Sequence, residues 1–368
     1  MRMQKIWLTA TALVLSAGAL AATDLQIERE ISGFEPEGPI GVRPGTTPRV
    51  PTPSPVLGML PTTGLLLIPE STNDRVMAFD PMTGNLLDAD FIAADPDNLS
   101  TPIHAILGPD GASILVSDQI DDVVQQYALD GTYLGIFAPA GGVDTTILDN
   151  VRGISLDPAN GNLLVSVGGG ANDDAIAEFD TAGNSLGNRV ANGAGGLDSP
   201  FDVLFFGNEI FSGGITSDAI HTYALNGTYI DDFSPINTFP EQLAPSASGG
   251  LLVANFSGTE EGVVEYDAAG NQIGIYNPAS LGGYRGVYEL PNGNILTTNG
   301  GGVHEIDRSG NLVETKITGV SARFIEFVTS GVVLPPPAEV PTLNTTAMAL
   351  MILSLFAAAL FFRRRLNH

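Results

Sequence analysis

Short apolar runs recur through the middle of the chain at nearly even intervals. LLLI starts at Leu65, ILVS at Ile114, LLVS at Leu163, IFSG at Ile210, LLVA at Leu251 and ILTT at Ile295, spaced 49, 49, 47, 41 and 44 residues apart. A polar loop follows each run, and then a second run: VMAFD from Val76, VVQQYALD from Val123, AIAEFD from Ala175, AIHTYALN from Ala219, VVEYD from Val263 and VHEID from Val303. These second runs alternate apolar and polar positions, which predicts strands with one buried face. Each ends at a glycine turn, at Gly84, Gly131, Gly183, Gly227, Gly270 and Gly310. Asp-Gly, Asn-Gly and Gly-Asn between strands predict tight hairpins, because such turns need a positive φ that glycine adopts cheaply. A third strand follows the turn, as in Tyr133–Phe137 and Gln272–Tyr276, and a fourth precedes the next repeat, as in Arg152–Leu156 and Arg285–Tyr288.

Six repeats of four short strands predict an all-β fold, a six-bladed β-propeller over residues 63–333. The first repeat lacks its opening strand, because residues 36–61 carry eight prolines. The last repeat is followed by a spare strand, Arg323-Phe324-Ile325-Glu326-Phe327. That strand is expected to complete the first blade from the far end of the chain and so remove the open edges. The pattern of apolar strand, Asp- or Asn-rich loop, alternating strand and D-x-x-G-N turn resembles the NHL and YncE-like six-bladed propeller families. That resemblance implies a fold and leaves function open.

The two ends read as addresses. Arg2 and Lys5 precede an apolar run from Ile6 to Leu20, and Ala19-Leu20-Ala21 offers a cleavage site. Residues 1–21 are therefore expected to be a signal peptide handled by the Sec machinery and signal peptidase. Residues 22–62 are expected to be a proline-rich, semi-rigid linker. At the other end, residues 334–342 form a proline-rich spacer, residues 343–362 are a hydrophobic stretch long enough to span a bilayer, and residues 363–368 are basic. Val340-Pro341-Thr342-Leu343, the apolar stretch and Arg363-Arg364-Arg365 together resemble the IPTL-CTERM and PEP-CTERM sorting tails of Gram-negative bacteria. Val340 replaces the usual Ile, and Asn344-Thr345 departs from the Ser-x-Trp that follows in those tails. The resemblance implies an exosortase-like sorting protease as partner. It also implies a product anchored in the inner membrane or passed to the cell surface or extracellular matrix.

Charge narrows the partners. The chain has 368 residues and a formal charge of −26. Residues 22–340 hold 10 basic against 41 acidic residues, or −31, because five basic residues and no acids lie outside them. Such a surface repels phosphates and excludes nucleic acid as a main partner. With no cysteine, disulfides, thiolate metal sites and a Cys nucleophile are excluded.

Two constellations carry candidate chemistry. Aligning the innermost strands places His104, Arg152, Asp202, Gln242, Arg285 and Arg323 at one position in the six repeats, facing the channel at its loop-rich mouth. Arg152, Arg285 and Arg323, with Gln242, then bind a small anionic or saccharide ligand, while His104 and Asp202 supply acid–base chemistry. Alternatively, these side chains pair with neighbouring blades' carboxylates and backbone carbonyls and plug the channel. The second constellation is Asp118, Asn255 and Asn299, equivalent positions whose oxygens suit Ca²⁺. Gluconolactonase-like propellers hold a divalent cation in the channel, although three arginines there oppose one. No other cofactor is required by any motif.

Three functions remain open from the sequence. One is an exported binding or interaction module, which takes a protein partner or a small ligand. The others are a secreted hydrolase or lyase acting on a lactone or acidic sugar, and a structural component of an extracellular matrix.

Overall fold

The aliphatic and β-branched runs are strands in the structure, a computed structural model that describes residues 60, 61 and 63–329. The expected signal peptide, the linker up to residue 59, the sorting tail and the basic end lie outside the described residues. Among the described residues, no helix is long and apolar enough to cross a membrane.

Six four-stranded antiparallel sheets follow one another along the chain. The first blade is β1 (Leu65–Glu70), β2 (Arg75–Phe79) and β3 (Leu86–Ile92). The second is β4 (Pro102–Leu107), β5 (Ser113–Asp118), β6 (Val123–Ala128) and β7 (Tyr133–Ala138). The third is β8 (Val151–Leu156), β9 (Leu163–Val167), β10 (Ala175–Phe179) and β11 (Ser185–Val190). The fourth is β12 (Pro200–Phe206), β13 (Glu209–Gly214), β14 (Ala219–Ala224) and β15 (Tyr229–Pro235). The fifth is β16 (Pro240–Pro245), β17 (Leu251–Asn255), β18 (Gly262–Tyr266) and β19 (Gln272–Tyr276). The sixth is β20 (Val287–Glu289), β21 (Ile295–Asn299), β22 (Gly302–Ile306) and β23 (Leu312–Thr318).

The last strand, β24 (Glu326–Val328), pairs antiparallel with β1 and completes the first blade. Leu65 faces Val328 and Leu67 faces Glu326, and a separate bridge joins Glu70 to Ala322. The spare strand read from the sequence thus closes the ring. Gln242 locks it from the fifth blade: its Nε2 donates to the Ile325 carbonyl at 2.7 Å, and its Oε1 accepts the Ile325 N–H at 2.9 Å.

The core is divided into six layers, one between each pair of neighbouring blades. Leu65 and Leu67 point into the layer shared with the second blade, while Leu66 and Ile68 point into the layer shared with the sixth. A strand sandwiched in this way is apolar on both faces, which is why LLLI runs without interruption. The second runs differ from the single buried face read from their alternation. Their polar positions are covered by the next blade and find partners there or on adjacent strands. Glu178 bonds Arg189 and Asn162, and Glu305 pairs with Lys316 and Asn294. The outermost strands keep an open face, with Leu134, Leu186 and Ile273 exposed.

All six turn glycines have positive φ, between 68° and 82°. Gly227 also sits against the third blade, where a Cβ would run into the Arg189 carbonyl oxygen. Gly227→Ala is therefore expected to cost about 2 kcal/mol. A lower urea midpoint at unchanged m-value checks this.

The polar loops between the first and second runs of each repeat share a face with the connections between blades. Asp74, Asp122, Asp174 and Asp218 end these loops with φ between 50° and 59°. Asp122, Asp174 and Asp218 each reach the next blade: their carboxylates accept the N–H groups of Asn150, Ser199 and Thr238 at 2.7, 2.7 and 3.1 Å. These clasps fix the loop-rich face. The opposite face carries the short turns.

Candidate functional site

The six channel residues fall into two tiers, one residue apart. Pro102 pairs with Asp118 and Val151 with Val167, at equivalent points of β5 and β9. His104 lies two residues after the first, whereas Arg152 lies one residue after the second. The same register places Asp202 and Gln242 with His104, and Arg285 and Arg323 with Arg152. The ladder shifts by one residue at this point of β4, β8, β12 and β16 alike, so the offset comes from where each residue stands in its own strand. The single ring expected from the sequence is thus corrected to two stacked tiers.

The arginine tier lies toward the loop-rich end and is engaged by its neighbours. Arg152 Nη1 donates to Ser199 Oγ at 2.9 Å and to the Pro200 carbonyl at 3.0 Å, and its guanidinium covers the Phe201 ring at 4.7 Å. Arg285 Nη1 donates to Ser321 Oγ at 2.6 Å. Arg323 donates to Ser71 Oγ through Nε and Nη2, at 3.2 and 3.1 Å. All three are at most 5% exposed. Sequence reading missed the residue at their centre, Glu241, which is 0% exposed. Its Oε1 lies 3.9 Å from Arg285 Nε, and neither oxygen accepts a hydrogen bond among the described residues. Burial pushes its pKa up to about 7, while Arg285, Arg323 and Arg152 pull it down. Burial and the neighbouring Arg285 push Arg323 down to about 9.

The second tier lines a cavity of about 340 Å³ that extends toward the short-turn face, not the loop-rich mouth. His104, Asp202, Gln242 and Glu326 line it with an aliphatic wall that includes Ile106, Ile154, Leu204, Leu243 and Val328. His104 Nδ1 accepts the Ile154 N–H at 3.2 Å, so the neutral ring carries its proton on Nε2 and points it at Glu326 Oε2, 3.3 Å away. Asp202 accepts the N–H groups of Val203 and Leu243 at 2.8 and 2.9 Å. Burial pushes its pKa up to about 6, against the opposing pull of His104 and those two amides. Gly153, across from Asp202, has no side chain to hold it off: a Cβ there would meet Asp202 Oδ1. Gln242 accepts from both Val287 and Ile325 and donates to Ile325, so its amide is spent on joining blades. Glu326 was visible within the spare strand, but nothing in the sequence marked it as a cavity residue.

The calcium candidates do not converge on one site. Asp118, Asn255 and Asn299 occupy equivalent strand ends, pairing with Val123, Gly262 and Gly302. Each is engaged by the loops at its own strand end, although Asn255 Oδ1 accepts no hydrogen bond among the described residues. Asp118 accepts the N–H groups of Ser100 and Thr101 at 2.8 and 3.2 Å. Asn255 Nδ2 donates to the carbonyls of Asn237, Ser257 and Glu260. Asn299 Oδ1 accepts from Gly301 and Gly302 at 2.8 and 3.0 Å. Among the described residues, no group of three His, Cys, Asp or Glu is placed to hold a metal. With three arginines at the loop end of the channel, these residues do not fit a channel cation.

No family model matches the chain, and no curated protein matches it. The fold is similar to a chain of the nidogen–laminin complex, with a TM-score of 0.57, 14% identity, and coverage of 72% of this chain and 98% of that one. It is also similar to a gluconolactonase from Xanthomonas campestris, with a TM-score of 0.53, 15% identity, and coverage of 75% and 96%. A protein of unknown function from Bacteroides caccae aligns with a TM-score of 0.51 and 17% identity, covering 72% and 99%. At these identities the likeness shows the six-bladed propeller fold, with lactonase-like neighbours among its relatives in shape.

Proposed function

We propose that this chain is an exported, surface-directed propeller that works as a binding module and holds a small ligand in the cavity at the short-turn end of its channel. The observation that carries this reading is the cavity itself, where carboxylates and an imidazole converge among aliphatic walls. Pockets of this kind bury a ligand's body and fix its orientation through a few polar groups. The arginines, the expected anion clamp, are engaged elsewhere, and the cavity presents Glu326 and Asp202 instead. A neutral saccharide, with hydroxyls to donate and an apolar ring face, therefore suits it better than an anion. Export by the Sec route and recognition by an exosortase-like protease rest on the sequence of the two ends.

Calorimetric titration with neutral mono- and disaccharides, and with gluconate as the anionic arm, tests the reading. One site is expected for a neutral sugar. Leu204→Trp, which fills the cavity, is expected to weaken it about tenfold or more, roughly 1.4 kcal/mol. Equal binding by Leu204→Trp would remove the cavity from the function.

A second reading is hydrolysis of a lactone, favoured by His104 and Asp202 lining one cavity. It requires turnover of a sugar lactone that drops in Asp202→Asn. Steady binding with no turnover leaves the binding module.

A further inference from the structure

We propose that Ser217, His221 and Asp232 of the fourth blade form a serine-nucleophile acyl-transfer site on the loop-rich face. Ser217 lies in the turn between β13 and β14, His221 is the third residue of β14, and Asp232 is its cross-strand partner on β15. Ser217 Oγ is 2.8 Å from His221 Nε2. His221 Nδ1 is 2.8 Å from Asp232 Oδ1, a contact that lies off the hydrogen-bond line. An ionised carboxylate only accepts, so the ring nitrogen facing it carries the proton. Nε2 is then left to take the proton of Ser217, the order of groups that activates a serine nucleophile.

The local sequence holds this arrangement. Gly214 leaves room for the serine, because a Cβ there would strike Ser217 Oγ. Asp218 turns the chain directly after Ser217 with a φ of 50°. Tyr229 donates its hydroxyl to Asp232 Oδ1 at 3.1 Å, and the rings of Tyr223 and Tyr229 flank His221. His221 is 2% exposed, while Ser217 is half-buried between exposed Thr216 and Asp218. Burial holds the imidazole below its ordinary pKa against the pull of Asp232, so the ring is a neutral base at pH 7.

The sixth blade offers an internal comparison. His304 occupies the equivalent position of β22, but its Nδ1 meets Thr315 Oγ1 and its Nε2 meets Asn299 Oδ1, each at 3.1 Å. An amide oxygen only accepts, so His304 carries its proton on Nε2. Neutral partners therefore suffice for a histidine at this position. The fourth blade instead sets carboxylate, imidazole and hydroxyl in sequence and reverses the tautomer.

In the reaction, Ser217 Oγ bonds to the acyl carbon of an ester as its proton passes to His221 Nε2. The bond to the leaving oxygen breaks, and that oxygen takes the proton. Water then attacks the acyl-serine, gives a proton to Nε2, and releases the carboxylic acid as Ser217 regains its own. Asp218 and Asp231 stand beside the site, so the substrate class is a small uncharged ester.

Treating the full-length protein with diisopropyl fluorophosphate and mapping peptides by mass spectrometry is expected to place one phosphoryl group on Ser217. p-Nitrophenyl acetate hydrolysis is expected to stop in step with labelling and to fall at least ~100-fold in Ser217→Ala. Asp232→Asn is expected to lower kcat with little change in KM. No adduct on Ser217, or equal hydrolysis by Ser217→Ala, would overturn the site. If the variant folds poorly, the adduct on the unmutated chain decides.

Discussion

Deleting residues 321–329 is expected to abolish cooperative unfolding of the whole ring, not merely to fray its end. The segment buries Phe324, Ile325 and Val328. At roughly 1.5–3 kcal/mol for each such side chain, their loss alone costs about 5–9 kcal/mol. A domain's whole stability is about 5–15 kcal/mol. The deletion also strands groups on two other blades and opens the edge of its own. Gln242 loses both partners on Ile325, Thr298 Oγ1 loses the Arg323 carbonyl, and β1 becomes an open edge. Urea unfolding followed by circular dichroism checks this. A midpoint within experimental error of the intact chain would refute closure by the last strand as the main lock.

Glu241→Gln is expected to leave stability nearly unchanged at pH 5 and to raise it at pH 8. Burial lifts the Glu241 pKa from 4.5 to about 7, so the fold favours its protonated form. The stability tied to that preference is full below pH 4.5 and is lost as pH rises through about 7. At 1.36 kcal/mol per unit, the loss has a ceiling on the order of 3 kcal/mol. Glutamine is uncharged throughout and removes this slope. Thermal melts of both proteins at pH 5 and pH 8 read the difference. A variant less stable at pH 8 would mean that the carboxylate is needed as counter-ion to Arg152, Arg285 and Arg323, the cost expected on breaking a buried ion pair.

The fold was legible because its signals are local and repeated six times. Apolar runs such as LLLI and turns such as Asn226-Gly227 report on strand and hairpin through backbone chemistry that is the same in every blade. The closing strand was legible for a similar reason: an unpartnered repeat unit sat at each end of the count. The site was legible only in part. Alignment by strand put His104 and Arg152 level, because residue types do not mark which residue of an inner strand opens its ladder. Glu241 and Glu326 carry their meaning through neighbours about 40 or more residues distant or on other blades. Ser217 and His221 are four residues apart, but Asp232 joins them only once β14 and β15 pair. Their relation belongs to the register and not to any short motif.

The pairing of Leu65 with Val328 has a mechanical outcome. The polypeptide comes into the toroid and leaves it side by side, on the side where the cavity lies. The cavity therefore opens on the face where the described chain begins and ends. The turn bearing Ser217 looks the other way, so the two candidate sites open on opposite faces of the ring.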